Sequence, residues 1–120
     1  MGKKARHPQS LFVVIDGLDG IGKGVIEQAL IEFEQRQGKK VFDVVAYTKE
    51  HHRLPESEEF PLGQYSILLS AEPTYEGIGR VIREEMIAIK NKGKYSSEAE
   101  IQAYSLNRLV LMHRVIIPAL

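Results

Sequence analysis

The sequence contains no cysteine. Disulfides and thiolate metal sites are therefore excluded, and a reducing, cytoplasmic setting is the expectation. Net charge is also missing, because 16 Lys and Arg balance 16 Asp and Glu. No overall field draws the chain to nucleic acid or to a membrane surface, and neither is expected as a partner. Long apolar runs are absent too. The longest early one, Leu11 to Ile15, is far short of a membrane span. The opening MGKKARHPQS is basic but has no apolar stretch of signal-peptide length, so residues 1–10 read as a solvated tail. No internal repeat or low-complexity segment is evident.

What remains suits one packed domain: 120 residues, 43% of them hydrophobic. LFVVID (11–16) is a short, β-branched apolar run ending at a glycine and reads as a buried strand. From Ile21 to Gln37 the residues Val25, Ile26, Ala29, Leu30 and Phe33 recur at helical spacing, with Gly38 as the stop. VFDVVAY (41–47) reads as a second strand. Strand, Gly-rich turn, helix, strand is a βαβ opening and predicts an α/β fold with a parallel sheet flanked by helices.

Residues 48–64 are polar with two prolines and read as a mobile loop. YSILLSA (65–71) is strand-like, either in a hairpin with 41–47 or as a separate strand, and 77–90 is helical by periodicity. NKGKYSS breaks that helix. Ser97 with Glu100 predicts a capping box opening a helix to about His113 or beyond. VIIPAL then ends the chain with no evident cover for its apolar residues, so the sequence reads as cut inside a domain.

Candidate function concentrates in GLDGIGKG (17–24), which fits the phosphate-binding pattern G-x-x-x-x-G-K-[ST] except at its last position. Gly17, Gly20 and Gly22 let the backbone curl with its amides inward, the following helix N-terminus favours anions, and Lys23 reaches the β- and γ-phosphates. Gly24 stands where a Ser or Thr hydroxyl contacts Mg²⁺, which predicts weakened metal binding. The expected nucleotide-binding set is Gly17, Leu18, Asp19, Gly20, Ile21, Gly22, Lys23 and Gly24, with ATP and Mg²⁺ as cofactors and Lys23 as the catalytic cation.

Two further segments carry polar chemistry. Glu72, Pro73 and Thr74 form a junction between a strand-like run and a helix on which Arg80 and Arg83, three apart, are placed to face one anion or to be solvated separately. Tyr104 and Arg108 are i, i+4 in YSLNR, spaced to grip a base by stacking and hydrogen bonding, or to sit at the edge of a core. His51 and His52 are adjacent and diverge on any regular element, and His113 sits late on a helix, so none of them is read as a metal ligand.

Taken in order, VVIDGLDGIGKGV, AEPTYEGIGRVIR and QAYSLNR followed by VIIPAL resemble the motifs of the thymidylate kinase family, P-loop nucleoside-monophosphate kinases, over most of residues 11–120. The resemblance implies a P-loop NTPase fold for residues 11–120, cut short at the C-terminus, with 48–64 as an insertion. It implies that Lys23 and the loop amides hold ATP phosphates and that Asp19 contacts the acceptor sugar. Tyr104 then stacks on thymine, Arg108 bonds the base edge, and Arg83 with the turn of Glu72, Pro73 and Thr74 lies near the acceptor phosphate. Three departures stand out. Gly24 replaces the metal-contacting hydroxyl, Ala71 replaces an arginine, and Gly20 stands where one subgroup carries a loop arginine.

The implied activity is ATP-dependent phosphorylation of a deoxynucleoside monophosphate, dTMP to dTDP, in nucleotide biosynthesis, with nucleotide substrates as partners and a homodimer as one arrangement. Two alternatives stand beside it. One is a nucleotide-binding module that has lost catalysis. The other is a deoxynucleoside kinase using Asp16 or Glu72 as base.

Overall fold

The computed structural model describes residues 10–17, 20–61 and 63–120. Helix α1 runs Lys23–Arg36, as the apolar spacing predicts. It starts at Gly22, whose φ of 94° is open to glycine at little cost. Its periodicity fixes a helix but not a packing partner. No residue of α1 is buried, and Val25, Ile26, Leu30 and Phe33 are all exposed.

The strand expected at 11–16 is not formed. Residues 11–17 have no regular structure, and Leu11 to Val14 are exposed. A β-branched run expresses a preference, but a strand exists only where an edge accepts its hydrogen bonds. The described sheet has two strands, β1 (Val41–Asp43) and β2 (Ile67–Leu69), paired only with each other. They are parallel, with Val41 opposite Ile67 and Asp43 opposite Leu69, so the hairpin alternative is excluded and the separate-strand one holds. The architecture is α/β around a small parallel sheet.

The second expected strand, 41–47, is also corrected. Only its first three residues are extended, and helix α2 occupies Val44–His51. Asp43 makes the switch, its side chain accepting from the Ala46 amide at 3.0 Å. An aspartate at an N-cap satisfies one of the amides a helix start leaves open. The Thr48 hydroxyl turns inward and donates to the Val44 carbonyl at 2.6 Å, so this polar residue is buried.

The loop expected over 48–64 is therefore partly helix and largely anchored. Beyond α2, a short 3₁₀ turn at Ser57–Glu59 brings Pro55 and Phe60 into the interior. Phe42, Val44, Phe60, Leu111, Val115 and Ile116 form the core. The Phe42 ring meets Tyr47, Phe60 and Tyr65 at centroid distances of 5.6, 5.6 and 5.1 Å. Aromatic pairs at such distances add to the gain from area burial.

After α3 (Ile78–Val81) the chain continues as one wider π-type turn to Met86, so the helix expected over 77–90 ends four residues early. Helix α4 spans Ser97–Leu111 and runs through another π-type turn into α5 (Ile117–Ala119). Its cap is Ser96, not the expected Ser97. The Ser96 hydroxyl accepts from the Ala99 amide at 3.2 Å, which shifts the start by one residue and leaves the Ser97–Glu100 box unused. The closing VIIPAL is covered better than its sequence suggests. Val115 and Ile116 are buried in the core and Ala119 packs against it, while Ile117 and Leu120 stay exposed. No helix among the described residues is long and apolar enough to cross a membrane.

Glu59 ties the 48–64 segment together. It accepts from both terminal nitrogens of Arg53 at 2.8 and 3.0 Å, from the Tyr47 hydroxyl and from the Glu56 amide at 2.7 Å. These bonds, Arg53 foremost, hold its carboxyl at about 2. Burial, then the bond to Glu59, pushes the Tyr47 hydroxyl up. A carboxyl depressed in the folded state stabilises the fold above its unfolded value of about 4.5 and loses that contribution as pH falls through about 2. The wild-type chain should therefore lose stability between about pH 4.5 and pH 2. Glu59→Gln should be less stable at pH 7 and flatter across that window, as read by urea unfolding at a series of pH values. An unchanged acid limb in the variant would remove Glu59 from this role.

Candidate functional site

The turn after β2 is built on close approach. Pro73 and Thr74 are buried, and Gly79 of α3 packs directly on Thr74. A Cβ at Gly79 would come within 2.2 Å of the Thr74 carbonyl and hydroxyl oxygens and 2.3 Å of its amide nitrogen. Only glycine fits there.

Two side chains lock the turn. Asn107, on α4 and 1% exposed, accepts from the Thr74 amide at 3.1 Å and donates to the Thr74 hydroxyl at 2.9 Å. That hydroxyl donates onward to the Glu76 carbonyl at 2.9 Å. Arg83 reaches back and donates to the Pro73 carbonyl from Nε at 3.1 Å and from Nη2 at 2.6 Å, with a further contact to the Thr74 carbonyl at 3.3 Å. Its guanidinium also lies over the Tyr75 ring, 3.8 Å from the centroid. On the outer side, Arg108 donates from Nε to Glu72 at 3.0 Å.

Glu72, Pro73, Arg83 and Arg108 are thus brought together, although Glu72 and Arg108 lie 36 residues apart in sequence. Tyr104 is half-buried one turn before Arg108 on α4. Arg80 and Arg83 do not converge. Arg80 pairs with Glu76, just before α3, and with Glu84 in the π-type turn after it, while Arg83 turns to the backbone. His52 contacts Glu76 at 3.4 Å, and His51 stacks on Tyr47 with its ring 4.0 Å away.

Asn107 is the residue to which sequence reasoning gave no role, though it sits inside a motif singled out, and its buried partner Thr74 was read only as part of the 72–74 turn. The signal was available. Ala103, Asn107 and Leu111 fall at i, i+4 spacing on the covered side of α4, and an amide on that stripe requires a buried partner.

The glycine turn before α1 is described at Gly17, Gly20, Ile21, Gly22, Lys23 and Gly24; Leu18 and Asp19 lie outside the described residues. The Lys23 ammonium donates to the Gly17 carbonyl at 2.7 Å and closes the turn on itself. The Asp16 carboxylate accepts from the Gly17 amide at 2.8 Å. α1 has neither a side-chain cap nor an acidic residue in its first turn, so its leading end keeps its positive character. A Cβ at Gly24 would meet nothing within 4 Å.

The chain is thus an α/β protein in which a glycine turn leads into a helix and a braced turn after a parallel strand is fastened to a later helix. Proteins named probable thymidylate kinase are similar to it over nearly its whole length. That of Pyrococcus abyssi is 30% identical over 111 residues, 91% of this chain and 42% of that protein. That of Thermococcus gammatolerans is 26% identical over 115 residues, 92% of this chain and 43% of that protein. That of Pyrococcus horikoshii is 26% identical over 111 residues. The resemblance to thymidylate kinases read from the three motifs is therefore shown by whole-chain similarity. The chain spans less than half the length of these relatives. No family model matches the chain, and no solved structure does.

Replacing Asn107 tests the lock. Asn107→Ala strands the Thr74 amide in a buried setting and should cost about 1–3 kcal/mol. Urea unfolding measures the loss, and hydrogen exchange at the Thr74 amide should accelerate well beyond that at the α1 amides. Exchange at Thr74 equal to the wild type's would show that the amide is satisfied elsewhere.

Proposed function

We propose that the chain carries donor and acceptor residues of a P-loop nucleotide kinase, one that transfers the γ-phosphoryl group of ATP to a deoxynucleoside monophosphate, with dTMP as its substrate. The observation that carries this reading is the double link between the turn at 72–74 and α4, through Thr74–Asn107 and Glu72–Arg108. Two segments that resemble the acceptor-site motifs of thymidylate kinases, distant in sequence, are held as one unit, and the relatives bear that name.

ATP supplies the transferable phosphoryl group when bound. The uncapped end of α1 and the Lys23 ammonium beside Gly17 suit its phosphates. In this reading Lys23 and the amides of residues 17–24 neutralise phosphate charge, Lys23 being the catalytic cation, and Asp19 meets the acceptor sugar. Tyr104 supplies a stacking face, and Arg108, oriented by Glu72, donates to the base edge. Catalysis of this kind is positioning and charge stabilisation rather than covalent chemistry by the protein. The described residues contain no cluster of His, Asp and Glu placed to hold a metal ion, and Gly24 presents no hydroxyl, so no step is assigned to Mg²⁺.

Gly24 is also the observation that favours a second reading, a nucleotide-binding module impaired in transfer. The open space at Gly24 admits a serine side chain without a clash. Under the kinase reading, Gly24→Ser should raise Mg²⁺-dependent transfer from ATP to dTMP by about tenfold or more, since a metal contact is worth several kcal/mol of charge stabilisation. ATP affinity should move little. Bound nucleotides with no transfer in either protein would favour the binding module.

The acceptor site has its own test. Tyr104→Ala should weaken dTMP binding by about tenfold, the scale of one lost stacking contact, and leave ATP affinity unchanged by calorimetry. An equal loss for both ligands would mark general destabilisation and sink the base-stacking role.

A further inference from the structure

The segment between the π-type turn at 82–86 and α4 holds an apolar side chain out in solvent. Ile89 is 92% exposed, more than any other large hydrophobic side chain among the described residues. Ile87 and Tyr95 are exposed on either side of it, as are Lys90, Lys92 and Lys94.

The turn is locked from beneath. The Lys92 amide donates to the Ile89 carbonyl at 3.1 Å, and the Lys94 amide to the Asn91 carbonyl at 3.0 Å, so two hydrogen-bonded turns overlap. A hydrogen-bonded turn holds its first and fourth Cα atoms within about 7 Å, which gathers Ile89, Lys90 and Lys92 into one small patch. Asn91, 6% exposed, is the anchor. Its backbone amide donates to the Ala88 carbonyl at 2.8 Å. Its side chain donates to the Glu84 carbonyl at 3.3 Å and accepts from the Lys94 ammonium at 2.9 Å. With Asn91 turned inward and satisfied, Ile89, Lys90 and Lys92 are left on the outer side.

The charge of the patch is not cancelled locally. Lys90 and Lys92 form no ion pair among the described residues, and the Lys94 partner is a neutral amide. The glutamates beside the turn are engaged elsewhere. Glu84 pairs with Arg80, and Glu85 accepts from the Tyr95 hydroxyl at 3.3 Å. An exposed apolar side chain among free cations is complemented by carboxylates arranged around an apolar contact.

Partner shape decides among anions. Nucleic acid matches the lysines but not Ile89, because bases are gripped by flat rings and hydrogen bonds and phosphates by cations. An anionic membrane is broad. It would meet the exposed Glu84 and the Glu85 that borders the patch, and both would be repelled. A polypeptide segment is narrow enough to meet the tip alone. Side chains two apart on an extended segment share a face at about 6–7 Å, the scale of the Ile89–Lys92 patch.

We propose that the turn at 87–95 is a docking point for a partner protein. It takes an acidic segment whose apolar side chain packs on Ile89 while flanking carboxylates pair with Lys90 and Lys92. The surface uses no residue of the candidate nucleotide site.

Fluorescence anisotropy with labelled polyglutamate and a labelled glutamate–leucine copolymer tests this, beside sedimentation with phosphatidylcholine vesicles with and without phosphatidylserine. The wild-type chain should bind the copolymer about tenfold more tightly than polyglutamate, the scale of one isoleucine contact. Ile89→Ser should remove that preference. Lys90→Gln with Lys92→Gln should weaken both probes about fivefold, and Lys90→Arg with Lys92→Arg should restore them. All three side chains are exposed, so thermal unfolding should be unchanged. Equal copolymer binding by wild type and these variants would overturn the proposal, as would no copolymer binding by the wild type. Vesicle binding that needs phosphatidylserine and Lys90 with Lys92, in preference to the copolymer, would assign the turn to a membrane surface and overturn the polypeptide partner.

Discussion

The paired hydrogen bonds between Asn107 and Thr74 are the constraint on which the candidate acceptor site depends. Both groups are buried, and each satisfies the other's polar atoms. A half-made version would leave a stranded amide or hydroxyl, so the arrangement is close to all-or-none. The pair sets the distance between α4 and the turn at 72–74. Once that distance is fixed, Arg108 sits one residue on and meets Glu72, and Tyr104 comes one helical turn earlier. Gly79 makes the same turn tight from the other side, where even one methyl group would strike the Thr74 backbone. Arg83 completes the brace by occupying carbonyls that the turn cannot satisfy internally. The polar groups most suggestive of ligand binding in the sequence are thus divided: some hold the turn, and others are left to face outward from it.

Sequence legibility followed from where the deciding interaction lies. Helix α1 was readable because the 3.6-residue spacing from Val25 to Phe33 is a local property. The strand expected at 11–16 was not, because strand formation depends on an edge elsewhere in the chain, and β1 and β2 pair only with each other. The run 41–47 misled for a different reason. Its β-branched residues suit a strand, but Asp43 in its middle is a helix cap, and the cap decides. The choice of Ser96 over Ser97 is a one-residue version of the same competition. The 48–64 segment looked like a loop because its anchors, Thr48, Pro55 and Phe60, are sparse among charged residues, and its organising group is a single glutamate bonded to an arginine, a tyrosine and an amide.

The candidate site was legible by motif and less so by role. The glycine turn enters a helix as its spacing requires, and Glu72, Pro73, Arg83 and Arg108 do come together. The identities of the residues that hold them together were hidden because Asn and Thr advertise no chemistry of their own. Their work is visible only when the partner is known.

Charge distribution around the turn gives the division of labour its physical meaning. An arginine with a glutamate beside it, such as Arg80 between Glu76 and Glu84, has its field largely cancelled and is screened further by solvent. Arg108 is compensated in part by Glu72, so its field too is partly cancelled. Arg83 donates from Nε and Nη2 to neutral carbonyls, which immobilises it without cancelling its charge. Uncancelled charge at this end of the molecule therefore gathers at the Tyr75 ring, from one fixed cation, Arg83, and one on a flexible stem, Lys49. The turn beneath these cations stays locked by Asn107 and by the close approach of Gly79, so what the surrounding charges can do is set by side chains and not by the backbone of the turn.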